Sequence, residues 1–494
     1  MHDAREELRA ATALLERIAA DRALLVPLRA DERQRLLDAV AQVYHPDPKT
    51  RRNLVKATVR ARKAALTARD SGVLHETGIR ALRRQVVFTT PNVYPPAGMA
   101  SQQVVVDSQS DPDAREAPFA IVPQHCYVCK QTFTAIHHFY DQLCPECAAF
   151  NFAKRTALAD LRGRTALLTG GRVKIGYQAG LKLLRAGARL LVTTRFPRDS
   201  AARYAREPDF EQWNNRLEIF GLDLRHTPSV EAFCRTLLAT HDRLDFIINN
   251  ACQTVRRPPA FYAHMMEAEL HSLHRMPEPV RRLLGDGVST TVALPHAALL
   301  SQIELLPEER LAQDSLFPRG QLDQDLQQVD LRDGNSWRLT LADVSSVELL
   351  EVQLVNAIAP FIINARLKPL MTRTDNRDKH IVNVSAVEGQ FYRNNKTTRH
   401  PHTNMAKAAL NMMTRTSAAD YQQDGIHMNS VDTGWVTDED TIELAARKVR
   451  DHRFHPPLDI VDGAARIVDP IITGISTGEH VWGQFLKDFK PTDW

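Results

Sequence analysis

Thr165-Ala-Leu-Leu-Thr169 is an apolar run that ends in the turn Gly170-Gly171 and leads into a helically periodic stretch from Gly176 to Ala188. A second apolar run, Arg189-Leu-Leu-Val-Thr-Thr194, follows at once. Strand, glycine turn, helix and strand in that order form a βαβ unit, which predicts a parallel sheet covered by helices. The pattern resumes at Leu217-Glu-Ile-Phe220, Phe246-Ile-Ile248 and His380-Ile-Val-Asn-Val384. The first turn is also suited to an anion, because small residues let the backbone approach a phosphate and a helix N-terminus favours negative charge.

A chain of 494 residues is longer than one ordinary domain, and two to four units are expected at about 100–200 residues each. The first 89 residues read as a helical domain. Leu8, Leu14, Leu15 and Ile18 recur at helical spacing, Asp31 is a candidate cap for a second helix, and Thr50 for a third after the break His45-Pro46-Asp47-Pro48. Residues 90–121 are a proline-rich linker by composition. A small cysteine-bearing unit occupies 122–153, and the α/β domain runs from 160 to 494. Inside it, 256–343 breaks the strand–helix rhythm with polar, Pro-interrupted sequence expected to be helical.

Hydrophobic residues make up 43% and charged residues 25%, which excludes a mainly disordered, collagen-like or mucin-like chain. No stretch approaches the roughly 20 uninterrupted apolar residues of a membrane span, and Met-His-Asp-Ala-Arg-Glu-Glu lacks the layout of a secretory signal. A cytoplasmic protein without a membrane partner is expected. The net charge of +4 is unevenly placed: from Lys49 to Arg84 eleven basic residues face only Asp70 and Glu76. Such a stretch is either a solvated helix face or a contact for protein or nucleic acid.

Four of the six cysteines form two pairs, Cys126-Tyr-Val-Cys129 and Cys144-Pro-Glu-Cys147, separated by fourteen residues. Two such turns present four thiolates to one tetrahedral Zn²⁺, and four protein ligands leave no position for water. The expected site is therefore structural, a zinc ribbon or knuckle; buried unliganded cysteines or a redox pair are the alternatives.

Further along stand Leu222-Asp223-Leu224, Asn249-Asn250-Ala251, Asn356, Asn383-Val-Ser385 and Lys407, in that order. Together with Thr169-Gly170-Gly171-Arg172-Val173-Lys174-Ile175-Gly176 they resemble the short-chain dehydrogenase/reductase family over 160–255 and 343–494. The resemblance implies a doubly wound Rossmann sheet and an NAD(P)-dependent oxidoreductase. It further implies that Thr169, Gly170, Ile175 and Gly176 line the pyrophosphate, Asp223 the adenine and Asn250 the ribose wall. Lys407 is placed at the nicotinamide ribose, and Gly434, in Thr433-Gly434-Trp435, beside the nicotinamide. Arg195 follows the second strand with no acid at Val192, Thr193 or Thr194, which suits the 2′-phosphate of NADP rather than the 2′-hydroxyl of NAD. Arg172 is a second candidate for that phosphate, and a solvated strand-end charge is the alternative for Arg195.

The match departs from the family where chemistry is done. Lys174 replaces the middle glycine, as either an extra cation or an obstruction. Ser385 lies one residue before the usual serine position, which is Ala386, and Thr403 replaces the tyrosine of Tyr-x-x-x-Lys. A phenol of pKa about 10 can be lowered by a neighbouring ammonium; a threonine hydroxyl is too weak an acid to replace it. Candidate substitutes are His402, His400, Tyr392 and Glu388. Two functions stand open: an NADP-preferring oxidoreductase with Asn356, Ser385, Thr403, Lys407 and His402 in its active site, or a catalytically silent dinucleotide-binding scaffold. Expected partners are an unidentified small-molecule substrate, protein or nucleic acid through 49–84, and further copies of the chain.

Overall fold

The computed structural model describes residues 2–88, 90, 118–270, 276–285, 296–311, 313–392, 396–437, 439–452 and 455–494. Most of the proline-rich stretch, 91–117, lies outside them. The chain divides into two units, Met1–Gly72 and Val73–Trp494.

The first unit is helical: α1 (His2–Ala20), α2 (Ala30–Tyr44) and α3 (Pro48–His75), the last continuing into the second unit. Two starts differ from expectation. α2 begins at Ala30, ahead of Asp31, with Glu32 accepting the Arg29 N–H. α3 begins at Pro48, and the Asp47 carboxylate, not Thr50, takes the free N–H groups of Lys49 (2.8 Å) and Thr50 (3.0 Å). Leu25 is buried, whereas Leu8, Leu14, Leu37, Leu54 and Val59 are exposed.

The second unit opens with α4 (Gly78–Arg83). The cysteine unit follows as a bulged antiparallel hairpin, β1 (Phe119–His125) and β2 (Thr132–Ala135), and then α5 (Pro145–Thr156). Next comes an eight-stranded sheet from β3 (Thr165–Thr169), β4 (Arg189–Thr194), β5 (Leu217–Gly221), β6 (Phe246–Asn249), β7 (Lys379–Ser385), β8 (Ile426–Asp432), β9 (Phe485–Lys487) and β10 (Lys490–Thr492). Their order is β10-β9-β8-β7-β6-β3-β4-β5, and only β10 runs antiparallel to its neighbour. The connecting helices are α6 (Lys174–Arg185), α7 (Pro197–Tyr204), α8 (Thr227–Thr240), α9 (Pro259–Leu270), α10 (Glu278–Arg281), α11 (Ala297–Leu300), α12 (Ser346–Gln353), α13 (Ala359–Met371), α14 (Pro401–Gln423), α15 (Ile442–His452) and α16 (Ile460–Thr477).

Successive strand residues point to opposite faces, so each apolar run feeds two cores. Leu168, Leu190, Val192, Ile248 and Val382 pack with Leu181 of α6 and Ile467 of α16. Leu167, Leu191, Ile247 and Ile381 pack with Leu237 of α8 and Leu367 of α13. Between β6, β7 and β8 lies a buried polar cluster. Asn249 Nδ2 donates to Asn364 Oδ1 (2.9 Å) and Asn383 Oδ1 (2.8 Å), Asn383 Nδ2 to Thr414 Oγ1 (2.9 Å), and Ser430 Oγ to the same Thr414 oxygen (2.8 Å).

Among its described residues, the insertion 256–343 is less helical than expected. Its described residues include the helices α9 to α11, and Phe261, Tyr262, Met265 and Phe317 form a satellite core with Phe196. Ser346–Met371 is a continuous helical stretch long and apolar enough to cross a membrane, and half of its apolar window is buried inside this fold.

Candidate functional site

A cavity of about 840 Å³ opens at the C-terminal ends of β3, β4 and β6. The strand order reverses between β3 and β6, and open α/β sheets hold ligands at that switch point. Gly170 makes the sharp turn after β3 at φ +69°, and a side chain there would meet the Ala251 backbone at 2.9 Å. A Cβ on Gly176 would fall 2.2 Å from the Gly170 carbonyl and 2.4 Å from Asn250 Nδ2, so that position admits only glycine. Asn250 ties the turn to β6 by donating to the carbonyls of Thr169 (3.1 Å) and Gly170 (3.2 Å), and the Ala251 N–H donates to Thr169 Oγ1 (3.0 Å).

Lys174 has φ +54°, the left-handed conformation for which glycine is the usual residue, at a strain of about 1–2 kcal/mol. Its ammonium is buried, which disfavours the charge, but the carboxylates of Glu439, Asp325 and Asp323 outweigh burial and raise its pKa. Asp325 in turn is raised by burial among those acids. Asp223 is buried, and the fork and backbone N–H of Arg225 (Nη2 to Oδ2 2.7 Å) with the charge of Arg195 hold its carboxyl below the ordinary range despite burial. Arg172 is paired with Asp199 (2.6 Å) and also reaches Gln327 (3.3 Å). Arg195 donates from Nη2 to Tyr262 Oη (2.7 Å), with its guanidinium 4.5 Å over the Tyr262 ring.

Gly170, Arg172, Lys174, Ile175, Gly176, Arg195, Asp223 and Asn250 thus line one cavity; Thr169 lies behind its turn and Gly434 outside its lining. The other candidates lie outside that lining. Asn356 sits in a π-helical turn, Leu354–Ile358, between α12 and α13, and clamps Gln253 by accepting its N–H (2.7 Å) and donating to its carbonyl (3.1 Å). Such turns widen a helix and recur at functional sites. Lys407 is buried and donates from Nζ to the Val384 carbonyl (2.8 Å). Ser385 Oγ and Thr403 Oγ1 are buried without a hydrogen-bond partner. His402 is 1% exposed, with Nε2 3.5 Å from Glu348 Oε1. His400 stacks on Trp337 of the insertion at 3.9 Å, and its N–H donates to the Leu339 carbonyl. Tyr392 is 96% exposed. None of Asn356, Ser385, His400, His402, Thr403 and Lys407 is among the residues lining the cavity.

Reading the sequence missed the far wall, which the insertion supplies through Arg257, Tyr262, Asp323, Asp325 and Asp330, joined by Arg83 and Phe88 near α4. Arg257 forms an ion pair with Asp330, which Arg332 also grips (2.7 Å). The aromatic pair Phe261-Tyr262, soon after Asn250-Ala251, was the available signal.

The four cysteine sulfurs lie within 4.8 Å of one another, with Cys129 and Cys144 Sγ 3.7 Å apart. A tetrahedral zinc with 2.3 Å bonds spaces its sulfurs about 3.8 Å apart. Burial opposes ionisation of Cys126, but N–H groups of Cys144, Cys129 and Val128 aimed at its sulfur bring its pKa to about 7. The unit is bolted to the rest of the domain. Arg155 of α5 donates to both oxygens of Asp459 (2.7 and 3.0 Å) and lies 2.9 Å from Asp462; Tyr140 Oη donates to Asp462; and Tyr127 Oη accepts from the Trp435 N–H (3.0 Å).

Residues 164–272 match the family model described as short chain dehydrogenase, and 334–455 match the one described as enoyl-(acyl carrier protein) reductase. An uncharacterized protein of Acanthamoeba polyphaga mimivirus is 32% identical over 363 residues, 70% of this chain and 71% of that protein. Dehydrogenase/reductase SDR family member 13 of Bos taurus is 39% identical over 105 residues, 20% of this chain. Retinol dehydrogenase 11 of Mus musculus is 33% identical over 96 residues, 19% of this chain. The match spans only 28% and 30% of those two relatives' own lengths. A solved metagenomic short-chain oxidoreductase in complex with NADP is 17% identical, with a TM-score of 0.39 over 68% of this chain and all of that one.

Proposed function

Since the chain belongs to the short-chain dehydrogenase/reductase family as a divergent member, we propose that it is an oxidoreductase acting on a carbonyl compound or alcohol, with NADP(H) preferred to NAD(H). The observation that carries this reading is Arg195: a cation at the end of β4, lining the cavity, with no acid at Val192, Thr193 or Thr194. An acid there would favour a ribose hydroxyl, and a guanidinium favours a phosphate. A volume of about 840 Å³ fits a dinucleotide's share of such a cleft. Gly170, Ile175 and Gly176 would border the pyrophosphate with Lys174 as its cation, Asn250 the ribose, Asp223 the adenine and Arg195 the 2′-phosphate. When bound, the cofactor supplies or accepts hydride.

The chain's own part is to orient and to move a proton. In this reading Asn356 fixes Gln253 on the cavity wall, and Lys407, on the helix that carries Thr403, is held by its hydrogen bond to the Val384 carbonyl. His402 replaces the missing phenol as proton donor, with its Nε2 3.5 Å from the Glu348 carboxylate. A second reading, a dinucleotide-binding scaffold without turnover, draws support from the withdrawal of Ser385, Thr403, His402 and Lys407 from the cavity lining. Titration of the purified chain with NADPH and NADH, followed by NADPH oxidation against a carbonyl panel, separates the two. Binding with turnover that Lys407→Ala lowers supports the enzyme. Binding without any turnover selects the scaffold, and no binding of either dinucleotide ends both readings.

The cysteine unit is proposed to hold one structural Zn²⁺ through Cys126, Cys129, Cys144 and Cys147. The sulfur spacing and the N–H groups directed at Cys126 support this assignment.

A further inference from the structure

We propose that Tyr262, on the inserted helix α9, is a positioning residue for recognition of the cofactor's 2′-phosphate, acting through Arg195. The proposal rests on the NADP-preferring reading above and extends it to a residue that the family pattern does not contain.

A lone arginine at a strand end is a poor discriminator, because its long side chain samples many rotamers and its charge goes to the nearest carboxylate. Such a carboxylate is at hand: Asp223 lines the same cavity and feels the Arg195 charge. Arg195 is nevertheless held elsewhere. Its Nη2 donates to Tyr262 Oη at 2.7 Å, and its guanidinium lies over the Tyr262 ring at 4.5 Å. Phe196 backs the arrangement, its ring 5.2 Å from that of Tyr262 and 5.7 Å from the guanidinium. A tyrosine hydroxyl is a neutral acceptor, so it fixes direction without cancelling charge, and four of the fork's five N–H groups remain for a phosphate.

The neighbouring cation is arranged in the opposite way. Arg172 is ion-paired with Asp199 at 2.6 Å, a carboxylate it shares with Arg203 at 2.8 Å. The same inserted helix braces this corner a second time, because Glu269 accepts the N–H groups of Arg198 (3.3 Å) and Asp199 (2.8 Å) at the start of α7. α9 therefore sets both the backbone of the β4–α7 turn and the direction of its one cation without a carboxylate partner among the described residues. An insertion after the Asn-Asn-Ala turn has become part of the cofactor-discriminating wall.

The test is a titration of the full chain with NADPH, NADH and adenosine 2′,5′-bisphosphate, in wild type, Tyr262→Phe, Tyr262→Ala and Arg195→Ala. Tyr262→Phe keeps the ring and its packing, and is expected to weaken NADPH and the bisphosphate about three- to tenfold while leaving NADH unchanged. Tyr262→Ala should go further in the same direction, and Arg195→Ala should erase the preference. A preference that survives both Tyr262 substitutions overturns the proposal alone. Equal losses for NADPH and NADH in both variants also overturn it, by showing a merely structural residue. A wild-type chain with no preference, unaffected by Arg195→Ala, overturns the NADP reading and this inference with it.

Discussion

Arg155 offers the sharpest test of how the cysteine unit is joined to the α/β domain, and the perturbation is Arg155→Met. The guanidinium is 1% exposed and spans two carboxylates, Asp459 at 2.7 and 3.0 Å and Asp462 at 2.9 Å, which are themselves 7% and 0% exposed. Methionine retains much of the aliphatic volume but leaves two buried acids facing each other and the Tyr140 hydroxyl. Removing one partner of a buried ion pair costs about 3–5 kcal/mol, because the remaining charge has lost both its solvent and its counter-ion. The effect should carry a pH signature. Burial alone would raise Asp459, but Arg155 holds it below the normal carboxylate range, so its contribution is complete above the unfolded pKa of about 3.9 and disappears as pH falls through the depressed folded value. Asp462 is shifted the other way by burial and by Asp459, and in the variant both acids are relieved by protonation. The gap between wild type and variant should therefore be widest near pH 7, narrow towards pH 4 as the variant's acids protonate, and close only as pH falls through the depressed Asp459 value. Urea unfolding followed by tryptophan fluorescence at pH 7, 5.5 and 4 measures it. A difference below 1 kcal/mol at pH 7, or one that does not narrow with acid, would refute the reasoning.

Metal analysis of protein purified without chelators should give one zinc per chain, and Cys129→Ser with Cys144→Ser should abolish it and lower thermal stability. Arg195→Ala should weaken NADPH binding about tenfold or more and NADH little, the loss of a charge-assisted contact of about 1.5–3 kcal/mol, read by calorimetric titration. In any assay that shows turnover, His402→Gln should cost on the order of a hundredfold in kcat with little change in NADPH affinity, as expected for loss of a proton donor; an unaffected kcat would remove His402 from the chemistry.

The central strands were legible because parallel strands covered on both faces read as apolar runs, as Thr165–Thr169 and Arg189–Thr194 do. β8 was not, since Ile-His-Met-Asn-Ser-Val-Asp carries four polar residues. His427, Asn429 and Ser430 are buried only because Arg377, Val481 and Thr414 satisfy them from remote parts of the chain. The same divide runs through the site. The glycine turn, Asn250 and Arg195 could be read locally because backbone conformation and strand ends are local properties. That Lys407 turns to the Val384 carbonyl, that His402 turns to Glu348, and that Tyr262 meets Arg195 across 67 positions depends on packing that no local window contains.

The polar cluster between β6, β7 and β8 bears on a problem that apolar strands create for themselves. Phe246-Ile-Ile and Ile381-Val would lose little greasy contact by sliding one residue past each other, because both faces of the sheet are dry and neither face is marked as the outside. Asn249, Asn383 and Ser430 break that near-degeneracy. A one-residue slip would turn each of them into the opposite apolar layer, away from Asn364 and Thr414, at about 1–3 kcal/mol for every abandoned polar group. The cluster thus acts as a ratchet tooth against misaligned sheets. It lies one residue before Asn250 on β6 and two before Ser385 on β7, so the alignment it selects also sets those two positions relative to each other.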